Sequence, residues 1–474
     1  MLTPSHSLSG VSLILNLRKG ALVSDPREQE EFPAPGYAWY VVAVLTIAYV
    51  FSFIDRQIMN FLVGPIRRDL GISDTQISLL MGLSFAIFYT LFGIPLGRLA
   101  DTRSRRGIIS IGIAVWSLMT VACGMTRNFW QLALTRMGVG VGEAALSPAA
   151  YSLIADYFPP TRRATAMSVY SMGIYVGAGL ASILGGWIAG QVAGQESYVL
   201  PLFGAMRSWQ IVFIAVGVPG LLVALLLLTV REPVRRGPSR SGKPAAPATI
   251  GETLAYVSDN ASTFIFLNLA IAFLTLNSYA STSWIPSLFE RRFGWSKPEI
   301  GLVYGSVIAI SGSLGVVGGG WLSDWWAKRG HVDAPVRVAW VASMCWLPSG
   351  LLYPLAPDGW WTAALLVPTV FFGSMPYGVA PAAIQRMMPN TMRAQATAIY
   401  LFVINIIGMG LGPTVVALLS DHVFHDENRL HHSLVIVGGA SYVVATVLLA
   451  IARHRYRRSI EYLEDWSRSQ SASH

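Results

Sequence analysis

Apolar residues run in long blocks along this chain, and short polar segments punctuate them at regular intervals. The blocks fall at roughly 39–63, 76–98, 107–125, 130–154, 164–190 and 209–230, and again at 262–288, 299–322, 336–356, 360–386, 394–419 and 433–452. Each is long enough for a helix to cross a hydrocarbon core about 30 Å thick. A backbone in lipid must satisfy its own hydrogen bonds, so such blocks are helices. The pattern therefore predicts an all-α membrane protein with about twelve transmembrane helices, six before and six after a central break. The break reads Arg231-Glu-Pro-Val-Arg-Arg-Gly-Pro-Ser-Arg-Ser-Gly-Lys-Pro-Ala-Ala-Pro, cationic and rich in Pro, Gly and Ser. Such composition is expected of a flexible linker. The expected organisation is a polar tail at 1–38, a first bundle at 39–230, a linker at 231–259, a second bundle at 260–453 and a tail at 454–474.

Two sequence repeats relate the halves. Gly97-Arg-Leu-Ala-Asp101-Thr-Arg-Ser-Arg105-Arg106 closes the second block, and Gly320-Trp-Leu-Ser-Asp324-Trp-Trp-Ala-Lys328-Arg329 closes the eighth. Each has Gly, then Asp four residues on, then two cations. Pro160-Thr-Arg-Arg-Ala-Thr-Ala-Met-Ser-Val-Tyr170 matches Asn390-Thr-Met-Arg-Ala-Gln-Ala-Thr-Ala-Ile-Tyr400, with Arg163 and Arg393 in register. Repeated bundles with repeated charged hinges suit a carrier that rocks about a central site.

Composition narrows the class further. The chain is 53% hydrophobic and only 12% charged, against about 25% charged residues in a soluble domain. The net charge of +9 does not indicate nucleic acid, because the cations sit in short loops between apolar blocks. Arg103, Arg105, Arg106, Arg162, Arg163, Arg231, Arg235, Arg236, Lys243, Lys328, Arg329 and Arg393 all follow even-numbered blocks. Arg453, Arg455, Arg457 and Arg458 follow the last. This excess predicts that both termini are cytoplasmic in a multi-pass cell-membrane protein. Arg67, Arg68, Arg291 and Arg292 dissent. Val11–Leu17 is too short for a typical signal sequence and no cleavage site follows it. Cys123 and Cys345 fall in different halves and read as membrane thiols.

The chemistry concentrates in the first half. Block 1 ends in Phe51-Ser-Phe-Ile-Asp55-Arg56-Gln57, and block 4 carries Arg136-Met-Gly-Val-Gly-Val-Gly-Glu143. Asp55 lies about 24 Å along its helix at 1.5 Å per residue, near the outer third of the membrane. Arg136 is about seven residues into block 4, at similar depth. Glu143 lies seven residues deeper on the same face, roughly 10 Å away. Ionisable groups at such depth are costly unless paired or hydrated, and they mark transport sites. The expectation is that Asp55 pairs with Arg136, that Asp55 and Glu143 carry the coupling proton, and that Arg56 and Arg136 bind an anionic substrate. The competing structural reading is a permanent ion pair between blocks 1 and 4. Gly97, Asp101, Arg105, Arg106, Gly320, Asp324, Lys328 and Arg329 are expected to form a cytoplasmic gate whose ion pairs break on opening, or else simply to anchor topology.

Layout and loop signatures together resemble the major facilitator superfamily over nearly the whole chain. That resemblance implies two pseudo-symmetric six-helix bundles with the substrate cavity between them. The Asp55-Arg56 pair with Arg136 and Gly142-Glu143-Ala144 is similar to the spinster family, which is linked to export of sphingosine phosphate and lysophospholipids, with proton coupling in some members. Span 5, with Gly173, Gly177, Gly179, Gly185 and Gly186, resembles the glycine-rich span of facilitator antiporters but lacks their prolines, and close helix packing explains it better. Asn268, Asn277, Tyr279, Gln385 and Asn405 are cavity-lining or packing residues of the second half, which would supply shape. His422, His425, His431 and His432 read as a solvated loop, with a metal site as the alternative.

The expected function is a proton-coupled secondary transporter of an amphipathic anion such as a lysolipid. The alternatives are a carrier of small organic anions (carboxylates or sugar phosphates) and a non-transporting sensor or scaffold. No nucleotide-binding loop or nucleophile–base pair indicates an ATP-driven pump or an enzyme. No cofactor beyond protons is expected, and the partners are substrate and lipid, with a monomer sufficient.

Overall fold

The computed structural model describes residues 32–191, 197–200, 204–233, 249–389 and 391–472. Eleven helical segments among them are long and apolar enough to cross a membrane. They are span 1 (Pro35–Phe61), span 2 (Asp74–Ala100), span 3 (Arg105–Cys123), span 5 (Val169–Gln191), span 6 (Ser208–Leu227), span 7 (Ala261–Phe293), span 8 (Lys297–Lys328), span 9 (Ala334–Leu355), span 10 (Gly359–Arg386), span 11 (Gln395–Phe424) and span 12 (Glu427–Arg468). The twelfth, span 4, is two helices in series, Phe129–Glu143 and Leu146–Tyr157. A turn at Ala144 and Ala145 divides them directly after Glu143. Neither piece alone is long enough to span, and together they are.

Local sequence sets the helix ends. Ser73 and Gln76 close a capping box at the start of span 2, and Asn128 caps span 4 through the Gln131 amide. Such side chains satisfy backbone N–H groups that a helix start leaves open. The glycines of span 4 bring its neighbours close. A Cβ on Gly140 would stand 2.7 Å from the Phe85 carbonyl oxygen of span 2, and one on Gly142 would stand 2.6 Å from the Trp116 nitrogen of span 3. Only glycine permits that approach, and it places Arg136 and Glu143 against spans 1 to 3.

The start of span 1, the described end of the last helix, the helix Ile250–Asp259 and the charged repeats share one face of the molecule, here the terminal face; the opposite side is the far face. One apolar cluster belongs to the first half apart from Met409, a second lies wholly in the second half, and a third merges both. The merged cluster joins Phe53, Ile58 and Met59 to Trp284, Ile285 and Tyr304, toward the far face. Spans 5 and 8 meet there glycine to glycine, where a Cβ on Gly179 would be 2.5 Å from the Gly305 oxygen.

Three features depart from the sequence reading. Residues Ile250–Asp259 of the expected flexible linker form a capped helix. The last helix runs from Leu430 to Ala472, through the expected tail, and its Tyr462 and Trp466 rings pack at steep angles against Tyr256 of that linker helix. A short antiparallel hairpin, β1 (Ser197–Leu200) with β2 (Gly204–Arg207), joins spans 5 and 6 at the far face. Water on that side removes the constraint that makes the spans helical.

Candidate substrate and coupling site

Span 1 ends with five polar side chains, Ser52, Asp55, Arg56, Gln57 and Asn60, that point different ways. Ser52 and Arg56 are one turn apart and reach the same partner. Ser52 Oγ donates to Glu143 Oε2 at 2.6 Å, and Arg56 Nη2 donates to the same oxygen at 2.5 Å. The Glu143 side chain has no exposure, whereas that of Arg56 keeps 12%. The guanidinium carbon of Arg56 lies 5.2, 4.6 and 5.3 Å from the ring centres of Phe53, Phe85 and Tyr89. Aromatic faces attract a cation and hold its plane. Tyr279 of span 7 adjoins Arg56 from the second bundle. The Arg56–Glu143 pair therefore stands where the halves face each other.

Asp55 turns away from this pair. It is fully buried, and neither carboxyl oxygen has a hydrogen-bond partner. Arg136 is equally buried. Its Nη1 donates to the Asp55 main-chain oxygen at 3.2 Å and its Nε to the Leu80 oxygen at 3.4 Å. The expected Asp55–Arg136 side-chain ion pair is not formed; Arg56 and Glu143 make the pair instead. The error lay in rotation and reach, since Arg136 does meet the Asp55 main chain. Reckoning by rise along the axis put Arg136 level with Asp55 but ignored the length of the Arg56 side chain, which reaches back toward Ser52. Phe85 stands between the two arginines, 4.6 Å from one and 5.6 Å from the other. Arg136 thus sits behind the aromatic wall rather than on the face open to a substrate.

The first loop signature makes a tight hub. Arg105 is 1% exposed. It pairs with Asp156, and its Nε donates to Glu232 Oε1 at 2.8 Å. Glu232 also accepts from the Ser104 hydroxyl and the Arg106 amide, each at 2.9 Å. Burial alone pushes the Glu232 carboxyl up, but the Arg105 side chain, the Arg106 and Arg105 amides and Ser104 together hold it below its ordinary value. Gly97 sits against Pro148 of span 4. The Asp101 side chain is outside the described residues. In the second signature a Cβ on Gly320 would meet nothing, Asp324, Lys328 and Arg329 are exposed, and Arg329 lies 3.3 Å over the Trp325 ring. The gate was expected to act through ion pairs that hold the terminal side shut. The pairs described here stay within one bundle, so they brace that bundle and do not tie it to the other.

The ties between bundles lie at the far face. Asp74, whose side chain has no exposure, accepts from Arg291 Nη1 and Nη2 at 2.7 and 2.8 Å, with Arg67 Nη1 at 3.1 Å. Arg67 reaches Glu427 across the seam, and the Thr75 amide donates to Asp421 at 2.6 Å. Sequence reasoning missed this network. Its signal was present: Arg67 and Arg291 were two of the four cations that broke the charge rule. Of the second-half candidates, Asn268 bonds the Phe264 carbonyl within its own helix and Asn277 bonds Tyr442, so both pack helices. Gln385 contacts Thr397, Asn405 opens a π-helical segment, and Tyr279 faces Arg56. Among the described residues no group of three His, Cys, Asp or Glu is placed to hold a metal; the His431 and His432 rings lie tilted, 4.0 Å apart.

Two helical bundles fastened at one face, with a charged pair where they meet, define a multi-pass membrane transporter. Residues 45–413 match the family model for the Major Facilitator Superfamily, and the chain belongs to that superfamily. It is 30% identical to an MFS-type efflux pump of Mycolicibacterium smegmatis, over 90% of this chain and 95% of that protein. It is 25% identical to the probable L-galactonate transporter of Escherichia coli, over 69% and 71%. A crystal structure of a bacterial homolog to the human lysosomal transporter spinster, inward-facing and unoccupied, superimposes with a TM-score of 0.76 at 30% identity, covering 91% of this chain and 99% of that one. The chain is a spinster-like member of the superfamily.

Proposed function

We propose that the protein is a proton-coupled carrier of an amphipathic anion, of the lysophospholipid or sphingolipid kind, working by alternating access. The observation that carries this reading is the Arg56–Glu143 pair, 2.5 Å long, with Arg56 the one partly open side chain among Asp55, Arg56, Arg136 and Glu143. An incoming anion competes for the guanidinium. A carboxylate that loses its cation in a dry site takes up a proton, so anion binding and Glu143 protonation are linked, and Asp55 is a second proton acceptor beside it. The rings of Phe53, Phe85 and Tyr89 supply an apolar wall next to the cation, which suits a headgroup joined to a hydrocarbon body. Arg136 in this scheme positions Asp55 through its main chain. The terminal face is assigned to the cytoplasm of a cell-membrane protein, on the cation excess there. On that assignment the far-face network closes the outer side. The carrier needs no cofactor beyond protons and works as a monomer.

The likeness to a sugar-acid transporter supports a second reading, a carrier of small organic anions. Reconstituted liposomes with an entrapped pH dye separate the two. Proton movement on adding a lysophospholipid, absent with galactonate and lost in Asp55→Asn and Glu143→Gln, is the expected result. Movement with galactonate alone favours the second reading. No flux with either, despite binding, points to a sensor, and flux unaltered in both variants overturns the relay.

A further inference from the structure

Span 3 turns one stripe of residues, Trp116, Thr120 and Cys123, into the interior of the first bundle. Their spacing of four and three places them on one face, and all three have no exposure. Trp116 and Thr120 are the polar side chains that face the Asp55 carboxyl. Neither the indole N–H of Trp116 nor the Thr120 hydroxyl has a hydrogen-bond partner. Both Asp55 oxygens and Arg136 Nη2 are in the same condition. Five buried polar atoms on spans 1, 3 and 4 thus converge within reach of one another, none of them in good hydrogen-bonding geometry.

Buried polar groups are paired in folded proteins, and where protein atoms do not pair them, ordered water does. The donor set decides what else fits. A guanidinium and an indole N–H repel a metal cation and suit water, which accepts from them and donates to the carboxyl. We propose that Trp116 and Thr120 are positioning residues of a buried water chamber through which the coupling proton reaches Asp55, closed off by Phe85 from the face where Arg56 meets substrate. The proposal rests on the proton-coupled reading above and adds a division to it. Asp55 and Arg56 are neighbours about 100° apart on one helix, so the proton and the anion occupy separate compartments back to back. The other charged or titratable groups that face Asp55 are Glu143 and Arg136 of span 4 and Cys123 of span 3.

The test is infrared difference spectroscopy of the purified full chain in lipid nanodiscs, titrated with acid and no substrate. Asp55→Asn assigns the protonated-carboxyl band of Asp55. Thr120→Val and Trp116→Phe keep size and remove the polar hydrogen. Each should move the midpoint of that band to higher pH by roughly one unit, about tenfold in proton affinity, because the water that the polar hydrogen holds against the charged carboxyl is lost. Each should also remove a water O–H band that exchanges in heavy water. Thr120→Ser, which restores the hydroxyl but not the shape, should return both signals; a merely structural role would instead follow shape. An Asp55 band that titrates identically in all three variants overturns the chamber and leaves the coupling reading standing. No titrating Asp55 band at all overturns both.

Discussion

The far-face network makes the sharpest claim about conformational balance. Asp74 is buried and held by both terminal nitrogens of Arg291, a residue of the other bundle. Opening that face separates spans 2 and 7, so the interaction exists only in the closed-far state. At an effective dielectric near 20, two charges about 4 Å apart attract by roughly 4 kcal/mol. Desolvation cancels much of this, yet removing one partner of a buried pair costs about 3–5 kcal/mol because the other is stranded. Asp74→Ala therefore penalises the closed-far state by about 3 kcal/mol, and 1.4 kcal/mol is tenfold. The ratio of closed to open molecules should fall by on the order of a hundredfold. Spin labels at Val199→Cys in the hairpin and Trp361→Cys in span 10 report the far-face gap by pulsed electron resonance. Both positions are well exposed, Cys123 is buried, and the exposed Cys345 is replaced by Ser. The long-distance population should rise in Asp74→Ala and fall again in the swapped pair Asp74→Arg with Arg291→Asp. An unchanged distance distribution in Asp74→Ala refutes the assignment of this network as the lock.

Arg56→Lys keeps the charge but loses the planar contact with Phe53, Phe85 and Tyr89; lysophospholipid affinity should drop about tenfold in a binding titration while the protein folds normally. Gly179→Val places side-chain atoms inside the Gly305 backbone contact, and pulsed-resonance distances across spans 5 and 8 should widen; unaltered distances contradict a close-packed seam. The depressed Glu232 carboxyl gives a pH signature. Its stabilisation is fully present above the ordinary glutamate value and disappears as pH falls through the lower folded-state value. Wild type should thus lose thermal stability relative to Glu232→Gln as pH drops through the acid range, the gap at neutral pH being on the order of 1–2 kcal/mol. A gap independent of pH is evidence against the hub.

Legibility differed sharply between fold and site. Twelve spans, their split into six and six, and the duplicated charged loops could be read from the chain because lipid imposes one local rule on every span, and a local rule leaves a local pattern. The buried charges Asp55, Arg56, Arg136 and Glu143 were legible for the same reason: a charge inside an apolar block stands out. Their partners were not. Asp55 and Arg136 seemed matched in depth, but Arg56 takes Glu143, since rotation about the helix and side-chain reach decide pairing and neither is written in spacing along an axis. The break after Glu143 and the helix inside the linker escaped for a related cause, namely that both depend on what packs alongside. Sequence by itself determined that this is a two-bundle membrane carrier with buried charge in its first half. Tertiary structure alone decided which charges meet, which of them keeps some exposure, and that Asp74, Arg67, Arg291 and Glu427 fasten the far face, because those contacts join residues up to 360 positions apart and arise only once two halves are brought together.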